Sequence, residues 1–257
     1  MVYKDSPYLT ECLDSLKNQT VESNIYISTS TPSAYISELA KKFSAKVFVA
    51  PSRQGIAHDW NFSLQQAKTK YVTLAHQDDL YMPEYAASCF KAAEKFPDAL
   101  ISFTGYTEIV NGRDRSNTLL LRIKRFMLWF FMPLKKNIYS KFWKGKLLSL
   151  GCPIAAPSVM YNSDMLSGFQ FSSEFSINMD WEGWCRMVDM KGKFIYIKKR
   201  LFKHRIHLDS ATSAGLKSNL RQKEDLIMFK KFWPGFIANL LVKLYARSYN
   251  SNNELSI

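Results

Sequence analysis

The sequence is poor in cysteine and has no paired-cysteine motif. Four cysteines are spread over 257 residues, at Cys12, Cys89, Cys152 and Cys185. Without a CxxC pair, neither a zinc site nor a disulfide framework is indicated, and a reducing cytoplasm fits this composition. Residues 1–7 lack an apolar run behind a basic start, so no secretory signal is expected.

Acidic residues are also scarce. The chain has 22 Asp and Glu against 35 Lys and Arg, a formal net charge of +13. Residues 113–146 hold ten basic residues and one acid, and residues 191–205 hold seven basic residues and no acid. Such a surface attracts polyanions, either nucleic acid or an anionic membrane. No nucleic-acid motif is present, and the basic residues stand beside Leu, Met, Trp and Phe, so nucleic acid is not expected as a partner.

No apolar run reaches the roughly 20 residues needed to span a bilayer. The most apolar stretch, residues 119–134, is interrupted by Arg122, Lys124 and Arg125 and ends at Pro133. Such a segment either lies on an anionic membrane surface or forms a solvated helix with one core face. We therefore expect a cytoplasmic protein. If residues 119–134 lie on an anionic membrane, the protein would be attached peripherally to the inner face of the plasma membrane.

The composition is that of a globular protein, with 47% hydrophobic and 14% aromatic residues. Apolar runs at 24–29, 46–50, 71–75 and 99–104 alternate with segments of helical periodicity. This order predicts an α/β fold with a mostly parallel, Rossmann-like central sheet flanked by helices, and ligands at the carboxyl ends of its strands. The C-terminal segment predicts an amphipathic helical tail that packs on the domain or rests on a membrane.

Two adjacent carboxylates, Asp78 and Asp79, directly follow the apolar run 71–75. They repel each other unless they are solvated, cap a helix or share a cation. A turn that caps the next helix is one interpretation. Their place at the end of a strand favours the other, a divalent cation whose coordination is completed by a nucleotide diphosphate.

Two further positions are candidates for chemistry. Asp180 opens a predicted helix with Trp181 and Trp184 on its apolar stripe, and it either caps that helix or serves as a general base. The tryptophans either fill the core or stack on sugar rings. His207, near the end of an extended segment, is either a structural histidine or a metal ligand.

Three stretches together resemble one known family, the inverting family-two glycosyltransferases of GT-A fold, of the type that assembles bacterial surface polysaccharides. They are YLTECLDSLKNQT at 8–20, GIAHDWN at 55–61 and YVTLAHQDD at 71–79. The sequence departs from the family at residues 29–32, where Thr-Ser-Thr-Pro replaces Asp-Asp-Gly-Ser, and at His76, which replaces the first acid of the metal motif. The family also has an apolar strand before Val2, and we expect that strand to be missing or cut short here.

This resemblance implies a metal-dependent hexosyltransferase that moves a sugar from a nucleotide-sugar donor, with a UDP-sugar favoured. The acceptor would be a glycan or a lipid-linked molecule in cell-surface polysaccharide biosynthesis, and the cation Mn²⁺ or Mg²⁺. Residues 1–215 would form one catalytic domain, with a donor-binding half at 1–110, an acceptor-side half at 111–215 and a helical tail at 216–257.

The resemblance also assigns roles to individual residues. Asp180 matches the general base, and Asp78, Asp79 and His207 match the metal-binding positions. Ser210 and Ser213 are further candidates for the diphosphate. The donor is expected to contact seven residues: Tyr3, Thr29, Ser30, Gly55, Asn61, Gln77 and Arg205.

Two other classes of protein compete with this assignment. A catalytically silent binding protein would keep the fold and lose nucleotide affinity, as the short first strand and the substitutions at residues 29–32 suggest. A metal-dependent nucleotidyltransferase would share the sheet and the paired acids. It would need a glycine-rich phosphate loop near the N-terminus, which residues 3–7 do not provide.

Overall fold

The computed structural model describes residues 1–132, 137–207 and 219–250, with side chains to residue 246. Its helices are α1 Leu9–Lys17, α2 Ala34–Lys42, α3 Ile56–Gln66, α4 Tyr85–Lys95, α5 Leu119–Phe131, α6 Lys141–Leu148, α7 Met179–Val188, α8 Leu220–Lys230 and α9 Gly235–Asn250. Its strands are β1 Tyr26–Thr29, β2 Lys46–Val49, β3 Tyr71–Thr73, β4 Leu80–Tyr81, β5 Ala99–Val110, β6 Arg113–Arg115, β7 Asn137–Ile138, β8 Val159–Asn162 and β9 Lys193–Ile206.

The strands form two sheets, and the pairing is mixed rather than mostly parallel. β1 and β2 pair in parallel, and so do the long strands β5 and β9. The larger sheet has the order β3-β8-β5-β9-β4, with β6 on β5 and β7 on β9. β8 lies antiparallel between β3 and β5, so two strands from the first half of the chain are separated by one from the second half.

Residues 1 and 2 lie between the two sheets. Val2 forms a parallel bridge with Thr29 of β1 and donates its backbone N–H to Ser28 at 2.8 Å. The amine of Met1 donates to the carbonyl of Ala75, just after β3, at 2.9 Å. These contacts bring the end of β1 and the segment after β3 to the same edge of the fold.

The largest hydrophobic core surrounds α7. Trp181 and Trp184 have no exposed surface, and the indole N–H of Trp181 donates to the carbonyl of Leu148 at 3.1 Å. Both tryptophans therefore fill the core, and their buried rings have no surface on which a sugar could stack. Met228 and Phe229 of α8 and Ala238 of α9 join the same core, so these helices pack on the rest of the chain. No helix in the described ranges is long and apolar enough to cross a membrane.

Candidate active site

Asp79 faces the interior of the protein. Its carboxylate is 1% exposed, accepts the backbone N–H of Arg205 at 2.8 Å and lies 3.0 Å from Nδ1 of His204. Burial alone would lower the pKa of His204, but the Asp79 carboxylate raises that pKa above its ordinary value. Asp79 thus anchors the end of β9 to the segment after β3, a contact that the sequence did not suggest.

Asp78 points away from that anchor. Its Oδ1 accepts the hydroxyl of Ser6 at 2.8 Å, and its Oδ2 lies 3.1 Å from Nε2 of His207. Both side chains of the Asp78–His207 pair are partly exposed, and the ring of Tyr8 lies 5.3 Å from that of His207. The structure therefore brings together two of the three residues expected to bind metal, at the end of a strand.

These residues fit a cation only if a ligand completes its coordination. Within the described part of the chain, no group of three or more His, Cys, Asp and Glu side chains is arranged to hold a metal ion. The Asp78–His207 pair offers one carboxylate oxygen and one imidazole nitrogen. Mg²⁺ commonly binds with one or two carboxylates, water and substrate phosphates. The pair fits such a site. Asp79 contributes indirectly, because it fixes the end of β9 next to the segment that carries Asp78.

Arg205 connects α1 to the acidic motif. Its Nε donates to the backbone carbonyl of Asp78 at 2.8 Å, and its Nη2 pairs with Glu11 of α1 at 2.5 Å. The guanidinium carbon also lies 4.4 Å from the ring centre of Tyr8. The side chain is buried and fully engaged in these contacts, so in this structure Arg205 holds Asp78 in place.

Tyr3 and Gln77, both expected at the donor site, pair with each other. The backbone N–H of Tyr3 donates to Oε1 of Gln77, and Nε2 of Gln77 donates to the backbone carbonyl of Tyr3, each at 3.0 Å. The ring of Tyr3 stays 49% exposed. Tyr3 is thereby tied to Gln77, the residue that precedes Asp78. Its exposed ring offers an aromatic surface of the kind on which a nucleoside base stacks.

A carboxylate lies at the end of β1, although the local sequence has none. Ser30 donates its hydroxyl to Oδ2 of Asp59, on α3, at 3.0 Å, while Thr29 is buried and accepts the N–H of Thr31 at 3.0 Å. Oδ1 of Asp59 is buried without a hydrogen-bond partner among the described residues. The sequence did not indicate Asp59, because no local pattern connects a helix residue to a strand end 29 positions earlier.

Gly55 and Asn61 shape α3. Gly55 precedes the helix with φ +91°, a left-handed conformation that favours glycine. Asn61 donates to the backbone carbonyl of Phe171 at 2.9 Å and accepts its N–H at 2.7 Å. Both amide atoms of Asn61 are thus engaged in fixing α3 to the segment before α7.

Asp180 does not cap α7. Glu224 of α8 accepts the backbone N–H groups of Ser176, Ile177 and Asn178 at 2.8, 2.9 and 2.7 Å. Asn178 also donates its side-chain amide to Asp225 at 2.7 Å. The start of α7 is therefore held by α8, and its N-cap residue is Asn178 and not Asp180. Ser210 and Ser213, the further diphosphate candidates, lie outside the described residues.

The surroundings of Asp180 shift its proton affinity. Burial raises the pKa of this carboxyl, while Arg221 and Lys124 oppose the rise. Its Oδ1 accepts the N–H of Trp181 at 2.7 Å, and its Oδ2 lies 3.9 Å from the thiol of Cys152. A carboxylate with a raised pKa is a stronger base than an ordinary aspartate, which suits general-base catalysis near neutral pH.

Lys124 is a site residue that sequence analysis missed. It lies on α5 and donates its ammonium to the hydroxyl of Tyr106 on β5 at 3.0 Å. Its charge reaches both Asp180 and His204, the partner of Asp79. In the sequence, Lys124 only interrupts an apolar run. The hydrogen bond to Tyr106 directs this lysine toward the sheet.

Comparison with known proteins supports a glycosyltransferase family and fold. The family model "Glycosyl transferase family 2" matches residues 1–154. The chain is 24% identical to an uncharacterized glycosyltransferase of Methanocaldococcus jannaschii, over 93% of this chain and 83% of the relative.

Two solved glycosyltransferase structures share its fold. One is TarS of S. aureus, residues 1–349 in complex with UDP-GlcNAc, with a TM-score of 0.62 and 12% identity over 97% of this chain and 71% of that one. The other is the mannosyltransferase PcManGT of Pyrobaculum calidifontis in complex with GDP-Man and Mn²⁺, with a TM-score of 0.60 and 13% identity over 96% and 67%. The predicted GT-A architecture, a central sheet flanked by helices, is confirmed. The chain belongs to glycosyl transferase family 2 and is a glycosyltransferase.

Proposed function

We propose that the protein is a metal-dependent, inverting glycosyltransferase that takes its sugar from a nucleotide-sugar donor. The observation that carries this proposal is the 3.1 Å contact between Asp78 and His207, which joins the segment after β3 to the end of β9. Arg205, through its bond to the Asp78 carbonyl, and Ser6, through its bond to the Asp78 carboxylate, hold this pair in a fixed orientation. A prearranged and partly open pair at the end of a strand is well placed for a ligand.

The donor would lie across the edge formed by residues 1–3, β1 and the acidic motif. Asp78 and His207 would hold the Mn²⁺ or Mg²⁺ ion, whose positive charge would offset negative charge on the departing diphosphate. The complexes of TarS with UDP-GlcNAc and of PcManGT with GDP-Man and Mn²⁺ support a donor and a cation of this kind. We assign a UDP-sugar as the donor, with Tyr3 beside the base.

Asp59 would supply the carboxylate that the segment 29–32 lacks. Its Oδ1 is buried without a hydrogen-bond partner among the described residues, with Nδ1 of His58 3.7 Å away, while its Oδ2 accepts the hydroxyl of Ser30. A buried carboxylate oxygen that lacks a hydrogen bond is costly. A hydroxyl or N–H of a bound nucleoside would satisfy it, and this assignment replaces the acidic contact that the family pattern would place after β1.

Transfer would be a direct displacement at the anomeric carbon. The acceptor oxygen forms a bond to that carbon as the bond from the carbon to the diphosphate oxygen breaks, and the diphosphate leaves with the bonding electrons. Asp180 takes the proton of the acceptor hydroxyl, which its raised pKa favours. Attack from the face opposite the leaving group inverts the configuration at the carbon.

The acceptor would be a glycan or a lipid-linked molecule used in cell-surface polysaccharide biosynthesis. The formal net charge of +13 supports an acceptor or a surface that carries phosphate. We place the protein in the cytoplasm, attached peripherally to the inner face of the plasma membrane.

Turnover of a donor panel tests this function. UDP-sugars and GDP-sugars are incubated with the protein and Mn²⁺, release of nucleoside diphosphate is measured, and the anomeric configuration of the product is read by NMR. We expect release from one nucleotide class and an inverted product.

The matched variants are Asp180→Asn and Asp164→Asn. Asp164 is an exposed acid that lies 3.8 Å from Lys70, so its change should leave turnover intact. Near-full turnover by Asp180→Asn would remove Asp180 from the mechanism. Failure of the folded protein to bind any nucleotide would favour the silent binding protein.

A further inference from the structure

The outer face of α5 is apolar, although the helix lies on the surface. Its inner face contributes Leu120, Leu121, Met127 and Leu128 to the interior. The opposite face presents the aromatic ridge, defined as Leu119, Ile123, Phe126, Trp129 and Phe130. Four of these five side chains are 56–59% exposed, and Ile123 is 40% exposed. A surface helix normally carries polar residues on its outer face, so this helix departs from the usual arrangement.

The ridge is one continuous surface. The ring of Phe126 lies 5.8 Å from that of Trp129 and 6.0 Å from that of Phe130. Contiguous exposed apolar surface of this kind marks an interaction site far more often than scattered single residues do. The next helix, α6, packs on α5. Three more large side chains at or near the start of α6 are at least half exposed: Tyr139, Phe142 and Trp143.

Basic residues without acidic neighbours border the ridge. Arg122 is exposed on α5, and Arg200 is exposed on β9. Burial and then repulsion from Arg200 lower the pKa of the Arg125 guanidinium, which places Arg200 near α5. Arg125 itself is engaged within the protein, because its Nε donates to the carbonyl of Leu121 at 3.1 Å and its Nη2 donates to the carbonyl of Ser116. Neither Arg122 nor Arg200 forms a salt bridge with any described residue. Neither α5 nor α6 contains an acid.

We propose that the aromatic ridge, together with Arg122 and Arg200, docks the protein on an anionic lipid bilayer, with α5 lying along the membrane interface. Aromatic and aliphatic side chains enter the boundary between headgroups and acyl chains, while guanidinium groups pair with lipid phosphates. At 13 residues, α5 is too short to span a bilayer, so it would lie on the surface.

The charge of the protein favours a bilayer over a second copy of the chain. Two copies that met through their ridges would place uncompensated guanidinium groups opposite each other, in chains of net charge +13 each. An anionic bilayer instead supplies the missing negative charge and accepts the aromatic rings at the same time. This docking does not depend on the catalytic proposal and can be tested apart from it.

Vesicle sedimentation tests the proposal. The full chain is mixed with vesicles of phosphatidylcholine alone or with added phosphatidylglycerol, at low and high salt. We expect the protein to sediment with the anionic vesicles and to be released by salt, because exposed charges are screened. Folded protein that stays in the supernatant with both kinds of vesicle would overturn the proposal.

Matched variants locate the binding surface. The triple change Phe126→Ser, Trp129→Ser and Phe130→Ser should weaken binding at least about tenfold. A control triple changes exposed apolar residues elsewhere, Tyr26→Ser, Val49→Ser and Phe90→Ser, and should bind as the wild type does. Equal binding by both triples would contradict the assigned surface, provided that circular dichroism shows both to be folded.

A charge variant and a measurement of molecular mass complete the design. Arg122→Gln with Arg200→Gln should weaken binding to anionic vesicles at least about fivefold and reduce its salt dependence. Light scattering tests whether a second copy of the chain covers the ridge instead. If the wild type is a dimer and the triple change at Phe126, Trp129 and Phe130 converts it to a monomer, the ridge is a dimer interface and the membrane proposal is overturned.

Discussion

At the scale of single residues, the two adjacent aspartates have different surroundings and should respond differently to substitution. Asp79 is buried and engages His204 and the backbone of Arg205, whereas Asp78 is partly exposed beside His207. Asp79→Ala should lower the free energy of unfolding by about 3 kcal/mol, because it leaves the His204 ring nitrogen and a buried backbone N–H unpaired. Asp78→Ala should change it by less than about 1 kcal/mol. Urea unfolding measures both, and equal losses would contradict the division of roles.

Asp180 should show the cost of burying a carboxylate. Because burial raises its pKa, the folded state binds this proton more tightly than the unfolded state does. The contribution of Asp180 to the free energy of unfolding is therefore largest at low pH. It declines as the pH rises from the ordinary aspartate pKa of 3.8 through the raised pKa of the folded state. Turnover should fall as the pH drops through the raised value, because a protonated carboxyl cannot accept the acceptor's proton.

Asp180→Asn should separate stability from activity. The neutral amide escapes the desolvation of a charge, so its melting temperature at neutral pH should equal or exceed that of the wild type, while turnover falls by about 10²-fold or more. Differential scanning calorimetry and initial rates on the same preparation measure the two effects. A substantially lower melting temperature would show that Asp180 is a structural anchor.

Asp59→Asn tests the assignment of the nucleoside contact. Loss of one charged hydrogen bond should raise the dissociation constant for the nucleoside diphosphate by about tenfold, with little change in stability. Glu38→Gln, on an exposed position of α2, is the matched control. Unchanged affinity in Asp59→Asn would exclude Asp59 from the nucleotide site.

Asn61 has a structural partner that its motif did not predict. Its motif suggested a donor contact, but both of its amide atoms bind the backbone of Phe171, 110 positions along the chain. A motif identifies which residue types stand near a site, and the partner of each side chain depends on pairing between distant segments. Asp59, His204 and Lys124 were missed for the same reason.

At the scale of elements, α8 fixes the start of α7. Glu224 accepts three consecutive backbone N–H groups and is nearly buried. Glu224→Ala should lower the free energy of unfolding by about 3 kcal/mol and reduce turnover, because the segment that carries Asp180 loses its anchor. Glu174→Ala, at an exposed position, is the control. Similar stability of the two variants in urea would show that α7 is positioned by its core contacts alone.

The apolar runs at 24–29, 46–50, 71–75 and 99–104 predicted β1, β2, β3 and the start of β5 to within a few residues. Local periodicity failed to predict the insertion of β8 between β3 and β5, because antiparallel pairing across the two halves has no local signal. It also underestimated β5, which extends to Val110 through its parallel pairing with β9.

At the scale of the whole molecule, the acidic motif and the basic outer surface have separate tasks in this account. The motif holds the donor, and the aromatic ridge on α5 holds the protein at an anionic bilayer. Lys124 lies on the inner side of the same helix, so α5 contributes to both. The predicted boundary at residue 215 stays a prediction, although α8 and α9 pack into the largest core.

Calorimetric titration with UDP, GDP and CDP, each with and without Mn²⁺, tests the central claim most directly. We expect that UDP binds, that its binding needs the cation, and that Asp78→Asn abolishes the metal dependence while the protein stays folded. Binding of equal strength without Mn²⁺, or unchanged metal-dependent binding by Asp78→Asn, would contradict the assignment of the donor site to the Asp78–His207 pair.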